Sequence, residues 1–201
     1  MNFLSIDCST DIGSLFIKIK NKSFTKILQS DKFNNDLLMK QILDFLLKNN
    51  INLEDISKVF VNQGPGHYSG LRGSLAIAKG ISISKNLSLF GYNTFLWACT
   101  KFFNQKEYIC CIIHFRKKYF IKKFNLKLKS TSQVEETTQD EIIKKYSKVH
   151  KVIPKNEAKY FNKKILKFSN LSIVDLDHND LEFLNLKGLL NKNLIKPLYL
   201  S

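Results

Sequence analysis

Arginine, proline, tryptophan and acidic side chains are all scarce in this chain. Its 201 residues hold two arginines, 3 prolines, 1 tryptophan and 17 Asp+Glu. Each shortage, like each missing motif, removes a class. The cysteines, Cys8, Cys99, Cys110 and Cys111, include no CxxC pair, which excludes a zinc ribbon and a thioredoxin-like site. Their sparseness suits a reduced, cytoplasmic protein. No run approaches the ~18 apolar residues of a membrane-spanning helix. The opening Met1–Asp7 lacks a basic n-region and is broken by Asp7, so no secretory leader is expected. No Pro/Gly-rich linker or low-complexity tract interrupts the chain. What is present is a 44% hydrophobic fraction, enough for a real core and against wholesale disorder.

The 32 basic residues give a formal charge of +15. All but Arg72 and Arg116 are lysines, in a chain also rich in Asn, Ile and Phe, as AT-rich codon usage produces. The distribution says more than the total. Residues 1–100 carry 11 basic and 7 acidic groups, residues 101–170 carry 18 and 6, and residues 171–201 carry 3 and 4. A contact of the basic segment 101–170 with RNA would be salt-dependent and largely indifferent to sequence.

Periodicity predicts strands at Phe3–Asp7, Leu15–Lys20 and Ser23–Leu28, an antiparallel start to a sheet. Asp36–Lys48 reads as a helix with apolar residues on more than one face, more than packing on one sheet requires. A strand at Lys58–Val61 precedes a second helix, Leu71–Ser84. Gly73, Ala76, Ile77, Gly80 and Ser84 share one face of it. Glycine in a helix costs about 1 kcal/mol relative to alanine, so close packing against the sheet or a partner is expected. Further strands are read at Ser88–Gly91, Tyr108–Ile113, residues 124–129 and Leu171–Leu176, with Val149–Pro154 extended. Helices are read at Thr94–Phe103, from a Thr138–Glu141 capping box to about Lys148, at Glu157–Phe168 and at Asp180–Asn191, before a tail at Leu194–Leu200. The expected organisation is a lobe over 1–103 and a reduced basic lobe over 104–201, with the tail returning to the first.

Two motifs carry chemistry. Asp7-Cys8-Ser9-Thr10 follows the first strand, where an acid and hydroxyls suit a phosphate oxygen or hydrated metal, or simply a turn bonded to its own amides. Asn62–Gly73, NQGPGHYSGLRG, joins a strand to a helix. Amides at that helix start suit an anion and Arg72 suits a bidentate phosphate contact; alternatively the glycines let strand and helix pack closely. No Walker A lysine and no GxGxxG is present.

These residues resemble the TsaB (YeaZ) family of tRNA threonylcarbamoyladenosine biosynthesis proteins. Ile6-Asp7, Ser9-Thr10, Asn62, Gly64-Pro65-Gly66 and Tyr68-Ser69-Gly70-Leu71-Arg72-Gly73 match its pattern, Lys79-Gly80 fits its following helix, and Pro197-Leu198-Tyr199-Leu200 resembles its closing segment, with Ser201 where the family has arginine. The resemblance is dense over residues 1–100. It implies an α/β, two-lobed actin-like ATPase (ASKHA, RNase H-like) fold of mixed sheets with flanking helices. It further implies a non-catalytic subunit that supports a TsaD-type threonylcarbamoyltransferase, together with a TsaE-type ATPase, in making N6-threonylcarbamoyladenosine (t6A) in tRNA.

On this reading no catalytic residue, metal or resident cofactor is expected, with ATP or ADP bound only at the level of the complex. The candidates for a phosphate or nucleotide cleft are Asp7, Ser9, Thr10, Gly64, Gly66, Ser69, Gly70 and Arg72. The candidates for a partner or homodimer face are Leu38, Ile42, Phe45, Gly73, Ala76, Ile77 and Gly80. The histidines, His67, His114, His150 and His178, are never closer than 28 residues, so they form no local HxxxH-type metal pair. Two departures stand out: Cys8 replaces the family's usual threonine, and His114-Phe115-Arg116 replaces its Asp-Ala-Arg. The competing reading is a self-sufficient ATPase or phosphotransferase of the actin-like superfamily using Asp7.

Overall fold

The computed structural model describes residues 1–29, 35–192 and 195–200; Ser201, and Leu194 at the head of the expected tail, lie outside them. The chain forms two compact units. One is built from Met1–Thr94 with the described tail from Leu190, the other from Phe95–Leu189.

In the first unit the strands are β1 (Phe3–Asp7), β2 (Ile12–Ile19), β3 (Lys22–Gln29), β4 (Lys58–Asn62) and β5 (Ser88–Tyr92), in the order β3-β2-β1-β4-β5. β1 pairs antiparallel with β2 and parallel with β4, so the sheet is mixed. The helices α1 (Asn35–Lys48) and α2 (Tyr68–Ser84) supply the connections that parallel pairing requires. Period-two alternation gives the sheet two apolar faces. Leu4, Ile6, Leu15, Ile17, Val59 and Val61 meet Leu38, Ile42, Leu75 and Ala78 of the helices. On the other face one phenylalanine from each of β2, β1, β4 and β5 forms a continuous row. Phe16, Phe3, Phe60 and Phe90 follow one another at centroid spacings of 5.6, 4.9 and 5.7 Å. Phe3, Phe16 and Phe60 are buried, each contributing roughly 1.5–3 kcal/mol, so both faces of this sheet carry core residues.

The second unit has a five-stranded sheet in the order β10-β9-β6-β7-β8: β6 (Tyr108–Phe115), β7 (Lys118–Asn125), β8 (Glu135–Thr137), β9 (His150–Pro154) and β10 (Leu171–Val174). Its other elements are α3 (Thr94–Cys99, entering from the first unit), α4 (Gln139–Lys145), α5 (Lys163–Leu166) and α6 (Asp180–Leu186). Cys110, Ile112, Ile121 and Ile153 pack with Ile142 of α4 and Ile165 of α5. Thr138 caps α4 by accepting from Glu141 N at 3.2 Å, and Glu141 accepts from Thr138 N at 3.1 Å. The expected α/β architecture of mixed sheets with flanking helices is therefore present.

Several elements differ from the sequence expectation. The alternation at 124–129 is not a strand: β7 ends at Asn125, and Leu128 has φ 55. Its apolar residues alternate because the turn returns Leu128 to the core at 2% exposure. The preceding hairpin turns through Arg116 and Lys117, both at positive φ, the geometry of a two-residue loop matched to strand twist. Glu157–Phe168 is not one helix but a 3-10 turn, Lys155–Tyr160, then α5. A 3-10 turn at Thr100–Phe102 likewise follows α3. The last helix stops at Leu186, before Gly188 at φ +67.

Lys151 is fully buried in the second unit. Its Nζ donates to the carbonyls of Tyr146 and Val149 at 2.7 and 2.8 Å and to Asn170 Oδ1 at 2.9 Å. Burial pushes the ammonium pKa down; these bonds offset part of the desolvation cost and staple the α4–β9 loop to the start of β10.

Candidate functional site

Both sequence motifs begin at neighbouring strand termini, because β1 and β4 pair in parallel and the chain leaves both at the same end of the sheet. The hub there is Asn62. Its amide donates to Asp7 Oδ1 at 3.1 Å, Ser9 Oγ at 3.3 Å and Thr94 Oγ1 at 3.1 Å, and its own Oδ1 accepts from Gly64 N at 2.9 Å. Asp7 Oδ1 also accepts from Ser9 N at 2.9 Å. Burial pushes the Asp7 carboxyl pKa up, and the bonds from Ser9 and Asn62 pull it back in part.

The glycine-rich loop lies on the first turn. A Cβ on Gly66 would overlap the Ser9 backbone, and one on Gly70 would overlap the Cys8 carbonyl. His67 N donates to Ser9 O at 2.9 Å, and His67 Nε2 lies 3.1 Å from Asp11 Oδ1. Of the cleft candidates, Asp7, Ser9, Gly64, Gly66 and Gly70 are thus brought together: Asp7 and Ser9 are bonded directly, Gly64 is held through Asn62, and Gly66 and Gly70 lie close against the Ser9 and Cys8 backbone. Thr10 Oγ1 donates within its own turn, to Ile12 O at 2.8 Å. Ser69 is exposed. Arg72 is exposed as well, its guanidinium 4.5 Å from the centre of the Tyr68 ring.

The tail is stitched to the same end by Gln63. Gln63 Nε2 donates to Lys196 O at 2.7 Å, its Oε1 accepts from Asn191 Nδ2 at 2.7 Å, and its carbonyl accepts from Leu198 N at 2.6 Å. Tyr199 then stacks on Tyr68, centroids 5.3 Å apart and planes 25° apart. Asn62, Gln63 and Thr94 were not among the cleft candidates. The signal that was available is that Asn62 closes β4 and Gln63 follows it immediately before the glycines.

The helix-face candidates divide. Leu38, Ile42 and Phe45 are 3%, 0% and 5% exposed and belong to the core of the first unit. They face the sheet because they follow the i, i+4, i+7 stripe of α1. The apolar surplus of α1 is instead carried outward by Leu37, Leu43 and Leu47, the last 77% exposed. On α2, which packs beside α1, Gly73 is buried and Ile77 half-buried, while Ala76 and Gly80 reach solvent. Ile83 is 83% exposed. A Cβ on Gly80 meets nothing within 4 Å.

Among the described residues, no group of three or more His, Cys, Asp and Glu side chains is placed to hold a metal, and no helix is long and apolar enough to cross a membrane.

Comparison with known proteins agrees with this architecture. Residues 31–193 match the family model described as TsaD: tRNA N6-adenosine threonylcarbamoyltransferase. Two tRNA threonylcarbamoyladenosine biosynthesis proteins TsaB are similar in sequence. The one from Buchnera aphidicola subsp. Baizongia pistaciae is 35% identical over 86 residues, 42% of this chain and 38% of that protein. The one from Buchnera aphidicola subsp. Schizaphis graminum is 30% identical over 91 residues, 45% and 43% of the two. The chain thus spans about two fifths of the length of the curated relatives it matches. In structure it is similar to YeaZ from Pseudomonas aeruginosa, with TM-score 0.72, 13% identity and 99% of each chain covered. It is also similar to the AlfA filament protein from the B. subtilis plasmid pLS32, with TM-score 0.52, 7% identity, and 89% and 94% covered. The chain belongs to the tRNA N6-adenosine threonylcarbamoyltransferase (TsaD) family.

Proposed function

We propose that this chain is a non-catalytic subunit in the formation of t6A in tRNA, docking to a TsaD-type transferase through the outer face of α1 and α2. The observation that carries the reading is that face: Leu37, Leu43, Leu47 and Ile83 are exposed beside the small residues Ala76 and Gly80. Isolated exposed apolar residues are ordinary, but a group of them on two packed helices marks an interaction surface. Small residues there let a partner's helix approach closely. The same face serves a homodimer when the transferase is absent, and the TsaE-type ATPase joins the assembled pair. The bonding of the Asp7 turn and the glycine loop to each other weighs against a self-sufficient ATPase. It spends the acid and the loop on structure, leaving ATP or ADP to the complex.

The test is co-purification with the cognate TsaD-type protein and reconstitution of t6A on a tRNA transcript. Leu47→Asp with Ile83→Asp should abolish the complex and the modification while leaving the fold intact. Full modification without this chain would sink the reading.

A further inference from the structure

Several lysines of the second unit are held in ion pairs or buried. On β7, Lys118 pairs with Glu136 at 2.8 Å and Lys123 with Glu135 at 3.2 Å. Lys155 pairs with Asp175 at 3.2 Å, and Lys151 is consumed internally. Elsewhere on the unit, lysines gather on aromatic rings and make no ion pair among the described residues. Lys127 and Lys187 bring their Nζ atoms to 5.6 and 5.4 Å from the centre of the Phe103 ring. Phe103 meets Phe183 edge-on at 5.2 Å, and Lys187 also lies 5.5 Å from Phe183. Next to Phe103, Phe102 packs on His150 at 5.0 Å.

The loops that carry this patch are held in place. Asn104, at φ 60, donates its N–H to Leu126 O at 2.9 Å, fixing the turn after Phe103 to the turn after β7. Asn125 Oδ1 accepts from the amides of Lys127 and Lys129, each at 3.0 Å. The acids of α6, Asp180 and Glu182, lie in its first turn, whereas Lys187 follows its last.

We infer that the Phe103–Phe183–Lys127–Lys187 patch is an RNA-binding surface, taking a phosphate backbone on the lysines and a base against the phenylalanine rings. Lysines interleaved with partly exposed rings suit a polyanion that also has stackable faces. The unit carries 19 basic against 10 acidic side chains, so the long-range field has the sign that attracts RNA. This deepens the proposed role and rests on it only for the choice of tRNA as probe.

The test uses the full chain without any transferase, so its outcome is independent of TsaD docking. Fluorescence anisotropy is measured with a tRNA transcript, with heparin and with phosphatidylserine vesicles over a salt series. Lys127→Glu with Lys187→Glu should weaken tRNA binding roughly tenfold or more and reduce the salt slope by about 1 to 2. Lys163→Glu with Lys164→Glu, the same charge change on α5, should weaken it far less. Phe103→Leu should weaken tRNA binding several-fold without changing the heparin affinity. Equal losses from the two lysine pairs would overturn the inference, as would a Phe103→Leu effect shared with heparin or binding to vesicles in preference to tRNA.

Discussion

Tyr199 stacks on Tyr68 at 5.3 Å, joining the tail to the first turn of α2 across 131 residues of sequence. Arg72 covers Tyr68 at 4.5 Å, so two signature segments meet in one guanidinium–aromatic stack. The pair is about half exposed, and its coupling in a double-mutant cycle should fall near the low end of the ~0.5–1.5 kcal/mol range of aromatic pairs. Tyr199→Ala should also speed proteolytic cleavage of the tail, a change read by mass spectrometry. Unchanged cleavage would place the attachment in the Gln63 bonds alone.

Gly66 and Gly80 should respond in opposite senses to alanine. Gly66→Ala drives a Cβ into the Ser9 backbone, and overpacking against backbone costs about 1–3 kcal/mol or more. Gly80→Ala adds a methyl in open space within a helix, with an expected gain of about 0.5–1 kcal/mol. Urea unfolding of the isolated chain measures both. Gly80→Leu, equally tolerated by the monomer, should still weaken assembly with the transferase.

Lys151→Met should destabilise the second unit by about 2–4 kcal/mol. The methylenes are replaced, but the carbonyls of Tyr146 and Val149 and the Asn170 amide oxygen lose their donor in a buried site. The loss is read as a lowered Tm. A neutral outcome would mean that water enters to satisfy those oxygens.

Stability should depend on pH through two buried groups with opposite signs. Burial pushes the Glu157 carboxyl up to about 7. The folded state then holds a proton that the unfolded chain releases from about pH 4.5, so this contribution is complete at low pH and lost as pH rises toward 7, in total about 3 kcal/mol. Burial pushes His178 down to about 4. The unfolded chain takes up a proton below about 6.5, so this contribution is present at neutral pH and lost as pH falls toward 4, again about 3 kcal/mol. Between about pH 4.5 and 6.5 the two cancel. Glu157→Gln should remove one arm, so that stability rises more steeply with pH across that window in the variant than in the parent chain, the raised Asp180 carboxyl contributing equally to both. Equal slopes in denaturant titrations of the two proteins would refute the assignment.

Most of the first unit was legible in the sequence. Strand alternation at Leu15, Ile17 and Ile19, the apolar surplus of α1 and the glycine motif after β4 are local patterns, and local sterics and periodicity decide them. The second unit was less so. At 124–129 Leu128 enters the core from a turn, and at 157–168 a 3-10 turn and a short helix replace one helix, so burial there is set by contacts distant in sequence. The division of residues within α1 was also hidden. Leu38 and Leu37 are chemically alike, and only the packing of the helix on the sheet sends one inward and the other to solvent.

The +15 charge divides in the same way. Its sign and its concentration after residue 100 follow from counting side chains, because net charge is additive. Which lysines remain available is a property of the fold. Lys118 and Lys123 find carboxylates across a β-ladder, Lys151 is buried among carbonyls, and Lys127 and Lys187 come from positions 60 residues apart in sequence to one phenylalanine. Composition determined that this chain is basic, and the order of its apolar periodicities that strands and helices alternate along it. Tertiary structure decided where the charge is free and which apolar residues stay outside, because pairing and burial depend on neighbours that only folding brings together.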